Sequence, residues 1–377
     1  MIKILLSILI IFYAISVEAK NIFDEYADFK NNLNTQYGIN YGIATIVTKQ
    51  YAYSSKQHQM GLGILSPYAS LTFPDMSYGQ GQVHFAMNVV RFQDKTSWDI
   101  SDKIKVANQI DYYDMDYDEL SELYYEHTFK TDEHSFSFGV GQIPIIKFDM
   151  VSYEGYSSYF LNNALAQNGT FAYPSAGLGG YGSARLSKNA VLNIGAMDAT
   201  NPTAQGIKTK KLNNKKIASF ASFQYTPKLF NTYEGSYNFL IYKKPAVEKA
   251  PYRVKGWSVY LTQKFQKNMA LFVRLNGASG NYTSLKKSYA IGGIFNRLIK
   301  TDENDQLGIG YAYNRVNQNS TTKPLYHKYE QTLEIYYHYP IAQNISVRPD
   351  IQFYINPAFD KKTSVPMIFS LGLSVDL

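Results

Sequence analysis

Charged side chains recur at alternate positions of segments that are otherwise apolar, and these are the residues most able to contact a solute. Glu122 and Glu126 share one face of the segment 119–130, whose other face is largely apolar. Side chains of this kind select solutes by their potential and by hydrogen bonds to hydroxyl groups. The same alternation places further polar residues on one face of later segments: Arg274, Glu330, Glu334, Arg348, Asp350 and Gln352.

Enzymatic chemistry finds little support in these residues. Glu330 and Glu334 would lie about 13 Å apart along one strand, which is too far for a glycosidase pair. The six histidines show no His-Glu-x-x-His spacing, and no Gly-x-Ser-x-Gly motif is present. Cysteine is absent, so disulfides and thiolate metal sites are excluded. The sequence therefore predicts a protein that is not an enzyme and has no metal or cofactor.

The period-two alternation continues from residue 37 to the C terminus and predicts sixteen strands. The charged faces must meet water, because a carboxylate against lipid costs several kcal/mol. Strands of about ten residues are long enough to cross a bilayer when tilted. We therefore expect an all-β fold, a transmembrane antiparallel β-barrel over residues 37–377 with a water-filled lumen. The strands are placed near 38–48, 59–72, 80–92, 119–130, 135–143, 180–188, 190–198, 217–226, 231–242, 257–266, 269–279, 287–297, 306–316, 328–340, 344–356 and 365–377.

The lengths of the connections support this topology. Connections after even-numbered strands are short, whereas most of those after odd-numbered strands are longer, including 93–118 and 144–179. Short turns on one side and long loops on the other are typical of an outer-membrane barrel with both termini in the periplasm.

The N-terminal residues carry export signals. Residues 1–19 combine Lys3, an apolar run and small residues near position 19, which predicts a cleaved secretory signal; a retained anchor is the alternative. Beyond them no run of eighteen apolar residues occurs, which argues against a helical membrane protein. Residues 20–36 form a predicted helical segment that either lies at the periplasmic mouth, plugs the barrel or is a frayed leader.

The net charge is +7. Much of this excess lies in 208–216, which we interpret as a solvated loop and not as a nucleic-acid site.

The C-terminal strands resemble a known family. Residues 329–337 (YEQTLEIYY) and 347–357 (VRPDIQFYINP) resemble the C-terminal signature of the OprB-type carbohydrate-selective porins. Smaller family landmarks follow in the expected order upstream, including 123–126, 139–142, 160–163, 173–174 and 195–198. Two features depart from the family pattern: the chain ends in Leu377 and not in an aromatic residue, and no Gly-Gly follows Asn356-Pro357. The chain is thus identified as a divergent member.

The resemblance implies an outer-membrane porin for passive, carbohydrate-selective diffusion of small hydrophilic solutes, with lipid, lipopolysaccharide and the barrel-assembly machinery as partners and a homotrimer as its assembly. A general or anion-leaning porin and a closed structural or adhesive barrel remain alternatives. The resemblance also implies that 144–179 folds inward as a constriction, whereas an exposed lid is the other interpretation. An inward loop would bring to the eyelet Lys147, Asp149, Tyr153, Tyr156 and Tyr159.

Overall fold

The computed structural model describes residues 24–53, 58–75, 78–130, 134–149, 159–207, 216–229, 233–248, 250–281, 283–299, 302, 304–362 and 364–377. The predicted signal segment, most of the basic loop 208–216, Tyr153 and Tyr156 lie outside these residues.

In this part of the chain, seventeen strands form one continuous sheet, and all but one of them are long. The strands are β1 (Ile39–Tyr53), β2 (His58–Thr72), β3 (Gln80–Gln93), β4 (Tyr117–Lys130), β5 (Ser135–Ile143), β6 (Gly177–Ser187), β7 (Ala190–Asp198), β8 (Ile217–Tyr225), β9 (Lys228–Leu229), β10 (Tyr233–Lys244), β11 (Val254–Gln266), β12 (Met269–Ala278), β13 (Leu285–Asn296), β14 (Gln306–Val316), β15 (Tyr329–Ala342), β16 (Ile345–Ile355) and β17 (Met367–Asp376).

The sheet closes on itself. Every strand pairs antiparallel with its neighbours, and β1 pairs with both β2 and β17, so that Val47 lies opposite Leu373. The two-residue β9 only extends the turn before β10, which pairs with β8 along most of its length. The predicted sixteen-strand antiparallel barrel is therefore confirmed.

The alternation of side chains follows the wall of this barrel. On β17, Phe369, Leu371 and Leu373 are exposed on the outer surface, and Ile368 and Ser370 are buried inside. Buried and more exposed side chains alternate in the same way on β15, where the buried set is largely polar. An apolar outer face and a polar inner face are the arrangement that a lipid environment outside and water inside require.

The two ends of the barrel differ in the length of their connections. One end, which we call the long-loop end, carries the connections 94–116, 144–176 and 199–216. The other, the short-turn end, carries tight turns such as 188–189, 267–268 and 343–344, together with the start of β1 and the end of β17.

Four α-helices and one 3-10 helix (Gln318–Ser320) accompany the strands in the described residues. Residues 24–37 form α1, and the connections contain α2 (Ser97–Lys103), α3 (Ile146–Asp149) and α4 (Asn163–Ala166). Helix α1 ends at Gly38, whose φ of +68° is the left-handed conformation that glycine adopts without strain. Its carbonyl then accepts a hydrogen bond from the Thr72 N–H at 2.8 Å, which joins the helix end to β2. None of the helices in the described ranges is long and apolar enough to cross a membrane.

The hydrophobic core lies inside the barrel. Ile100, Ile104 and Ile110 of the connection 94–116 pack against inner-wall residues such as Met60 and Tyr354. A second cluster joins α4 to the inner wall formed by β11 to β15. Two long connections therefore fold back into the lumen and pack against its wall.

Candidate functional site

A cavity of about 1110 Å³ lies at the long-loop end and is bounded largely by these connections. Its floor and sides are formed mainly by residues of 98–121 and 144–175, with smaller contributions from the connections after β7, β12 and β14. We call this cavity the vestibule.

The vestibule is acidic although the whole chain is basic. Its charged lining consists of five carboxylates and two lysines: Asp99, Asp102, Asp114, Asp116, Glu119, Lys244 and Lys323. One lysine is already neutralised, because Lys323 forms an ion pair with Asp102. Burial raises the pKa of Asp114, which accepts a hydrogen bond from the Trp98 indole N–H at 3.4 Å. The potential at this mouth therefore favours cations and repels anions.

Aromatic rings surround the carboxylates. Tyr112 and Tyr113 have ring centroids 4.3 Å apart, and Tyr113 and Tyr117 are 6.2 Å apart. Phe171 and Tyr173 contribute further rings from the connection 144–176. A surface of rings beside hydrogen-bond acceptors can cover the apolar face of a sugar ring and bind its hydroxyl groups.

Three of the residues selected from the sequence meet on the inner wall of β4 and β6. Lys147, carried by α3, donates a hydrogen bond to the Tyr124 hydroxyl and lies 4.7 Å from the centre of that ring. The Tyr181 hydroxyl donates to Glu126. Glu122 and Glu126 are both partly exposed inside the barrel. Lys147 and Glu126 are thus linked through the neighbouring rings of Tyr124 and Tyr181, and Glu122 interacts with both through its charge.

The carboxylates of β15 have a different environment, because loop backbone covers them. Glu330 accepts hydrogen bonds from the backbone N–H groups of Ala107 (3.0 Å), Asn108 (2.9 Å) and Ala358 (2.9 Å). Glu334 accepts from two further backbone N–H groups, at residues 161 and 162, at 2.6 and 3.0 Å. Both side chains are fully buried. They therefore attach three loop segments to the wall.

Three of the four selected residues of β12 and β16 contact the same loops. Arg274 donates to the Leu165 carbonyl, and Arg348 donates to the Tyr159 carbonyl at 3.0 Å. Gln352 donates to a further loop carbonyl, that of residue 110, at 2.9 Å. Asp350 accepts a hydrogen bond from the Ser370 hydroxyl of β17 at 3.1 Å. All four side chains are buried inside the barrel.

Two further residues selected from the sequence lie in the connection 144–176: Asp149 is buried and Tyr159 is half-buried. Asp149 accepts hydrogen bonds from the Asn168 amide at 3.0 Å and the Tyr173 hydroxyl at 2.9 Å, and burial raises its pKa to about 6. Tyr159 stacks on His338 with ring centroids 3.8 Å apart.

Two asparagines of this interface were not selected from the sequence. Asn162 caps α4, and its amide donates to the Gln109 carbonyl at 3.1 Å and the Tyr354 hydroxyl at 2.7 Å. The Asn108 amide donates to the Asn162 side-chain oxygen at 2.7 Å. Asn162 falls within the landmark 160–163, and that was the only sequence signal for it.

Comparison with known proteins gives a consistent result. The model of the family described as "Carbohydrate-selective porin, OprB family" matches residues 79–376. "Porin AaxA" of Chlamydia pneumoniae is 26% identical over 316 residues, which are 83% of this chain and 71% of that protein. "Porin AaxA" of Chlamydia abortus is 28% identical over 281 residues, which are 74% of this chain but only 62% of that protein. The high-pH structure of Pseudomonas putida OprB superimposes with a TM-score of 0.74 at 13% identity, covering 94% of this chain and 97% of that one.

Proposed function

Because the chain belongs to the OprB family of carbohydrate-selective porins, we propose that it is an outer-membrane porin for the passive diffusion of small hydrophilic solutes. Export by a cleaved signal at residues 1–19, a helical segment at 20–36, insertion by the barrel-assembly machinery and assembly as a homotrimer are parts of the same proposal.

The pathway we propose is a lumen narrowed by two connections. The contacts that support it are those of Glu330 and Glu334, which attach the segments 107–108 and 161–162 to the inner wall. Solute then passes from the vestibule along β4, where Glu119, Glu122 and Glu126 lie on the inner side. In this account the remaining buried residues hold the constriction in place, while the β4 carboxylates and Lys147 contact solute.

The lining of the vestibule carries the proposal of carbohydrate selectivity. Neutral polyhydroxylated solutes suit a site in which Tyr112, Tyr113 and Tyr117 lie next to Asp114 and Glu119. Rings supply apolar contact, and carboxylates accept hydrogen bonds from hydroxyl groups without requiring a charged ligand.

A general porin that prefers cations is the second candidate. It is favoured by the five carboxylates and two lysines of the vestibule. The same lining argues against an anion-leaning porin, because the net charge of +7 does not lie at this mouth.

Planar-bilayer recording with sugar added to one side tests the first candidate. We expect the purified protein to give open channels whose current falls as a mono- or oligosaccharide saturates the pore, and Glu119→Gln to weaken that block. The matched control is Glu234→Gln, which removes an exposed carboxylate at the short-turn end. A second assay compares liposome swelling with sugars and with neutral amino acids of similar size. If the channels conduct but sugars neither block the current nor swell liposomes faster than the amino acids do, only the general porin remains. Absence of any conductance would refute both porin candidates.

A further inference from the structure

Basic side chains form a row on the outer surface of the barrel at the long-loop end. Lys243 of β10 lies directly opposite Lys255 of β11, and both are exposed. Lys287 of β13 lies directly opposite Arg315 of β14. We call these four residues the basic row.

The basic row contains two pairs of like charges. Like charges directly opposite each other on neighbouring strands destabilise a sheet. Among the described residues, none of the four side chains forms an ion pair. The carboxylates of the adjoining β15, Glu330 and Glu334, point into the barrel and are fully buried. The row therefore presents four positive charges that no carboxylate of the described residues offsets.

Aromatic residues lie beside the basic row on the outer face of the barrel. Trp257, one of only two tryptophans in the chain, lies opposite Ile241 and Gly277. Gly277 in turn lies opposite Lys287, so the indole and the lower charged pair lie on one register line across β11 to β14. Tyr313 and Tyr329 stack beside them with ring centroids 5.2 Å apart. Tryptophan and tyrosine concentrate at the boundary between lipid and water.

Apolar side chains continue below this level. Ile241 is 64% exposed and Ile291 is 56% exposed on the same outer face. The upper pair, Lys243 and Lys255, lies two residues nearer the long-loop end than the lower pair, a rise of about 7 Å. The two pairs are also separated laterally by two strand spacings, about 10 Å, because β12 lies between them. The residues between the two pairs are small: Gly277 in β12 and Ser279 just after its end.

We propose that the basic row binds the phosphate groups of a phosphorylated glycolipid in the outer leaflet, with the acyl chains against the apolar residues below. The proposal rests on the placement in the outer membrane and is independent of the solute. Lysine and arginine at headgroup height attract anionic lipid, and two separated pairs suit a headgroup with two phosphates. A second copy of this chain docked by the same face would bring more positive charge to the row, which would oppose binding.

The test uses the full chain extracted from outer membranes in mild detergent, with the bound glycolipid counted by native mass spectrometry. The variant Lys243→Gln, Lys255→Gln, Lys287→Gln, Arg315→Gln removes the row. Its charge-conserving partner is Lys243→Arg, Lys255→Arg. The matched control is Lys228→Gln, Lys267→Gln, which removes two exposed lysines at the short-turn end.

We expect the native chain to retain glycolipid and the four-site variant to bind added lipid A roughly 1000-fold more weakly. The arginine variant and the short-turn control should bind as the native chain does. Lipid A stripped of its phosphates should bind the native chain as weakly as intact lipid A binds the four-site variant, and inorganic phosphate at millimolar concentration should not compete. Equal retention by the native and four-site chains would overturn the proposal. So would equal binding of phosphorylated and dephosphorylated lipid, or a loss of subunit association with no change in lipid binding.

Discussion

Replacing Glu330 by alanine should release loop segments from the inner wall while leaving the barrel intact. The carboxylate accepts three backbone hydrogen bonds, from Ala107, Asn108 and Ala358, and all three donors would lose their acceptor. A buried polar group left without a partner costs about 1–3 kcal/mol. Water that enters the lumen can bond to the three freed N–H groups and recover part of the cost, which leaves a total of about 4 kcal/mol. Since about 1.4 kcal/mol is tenfold, the released state should become roughly 1000-fold more populated.

Two measurements report this release. Single-channel recordings of Glu330→Ala should show larger and noisier currents, because the narrowed part of the lumen opens intermittently. Trypsin should cleave after Lys103 or Lys105, in the connection 94–116, much faster than in the native chain. Glu330→Gln keeps one acceptor oxygen, so its current noise and cleavage rate should lie between those of the native chain and Glu330→Ala. Glu234→Ala at the short-turn end should behave as the native chain. Native current noise together with a native rate of cleavage in the alanine variant would refute the idea that this carboxylate holds the loops.

Three further outcomes follow from named contacts. Hydrogen bonds from the Ser364 hydroxyl and Lys105 lower the pKa of Asp360 to about 2, so this carboxylate stabilises its loop above about pH 4 and less as pH falls toward 2. The excess current noise of Asp360→Asn over the native chain should therefore be largest above pH 4 and vanish near pH 2; a pH-independent difference would contradict this. Arg348→Ala frees the Tyr159 carbonyl and removes a positive charge, so the reversal potential should shift toward cations while Arg348→Lys changes it little. Gly38→Ala should lower the thermal midpoint, since φ is +68° and a methyl group would lie 2.1 Å from the Thr72 carbonyl oxygen; an unchanged midpoint would count against a fixed helix end.

The barrel could be predicted from the sequence because its two environments alternate with the side chains. An outer face in lipid and an inner face toward water give every strand the same period, so sixteen long strands were found close to their observed bounds. The largest differences occur where a strand extends beyond its apolar core. β1 was expected at 38–48 and reaches Tyr53, and β11 was expected from 257 and begins at Val254.

The environment of the inner residues was harder to predict. The alternation correctly placed Glu330 on the inner side of β15, but it carries no information on what covers that side. Its partners Ala107 and Asn108 lie more than 200 positions away in the chain. The connection 94–116 received no role from the sequence, because an inward loop packs through backbone groups and irregularly spaced residues such as Ile104 and Ile110. Such contacts have no period to detect.

The pairing of β1 with β17 has a consequence for biogenesis. Until β17 is in place, the growing sheet has two open edges, each with a row of unsatisfied N–H and C=O groups. In hydrocarbon every such group costs several kcal/mol, so a fifteen-strand intermediate cannot simply wait inside the bilayer. Insertion is thereby coupled to closure of the sheet by β17, and we expect a chain that lacks this strand to aggregate and not to form a slightly weakened channel.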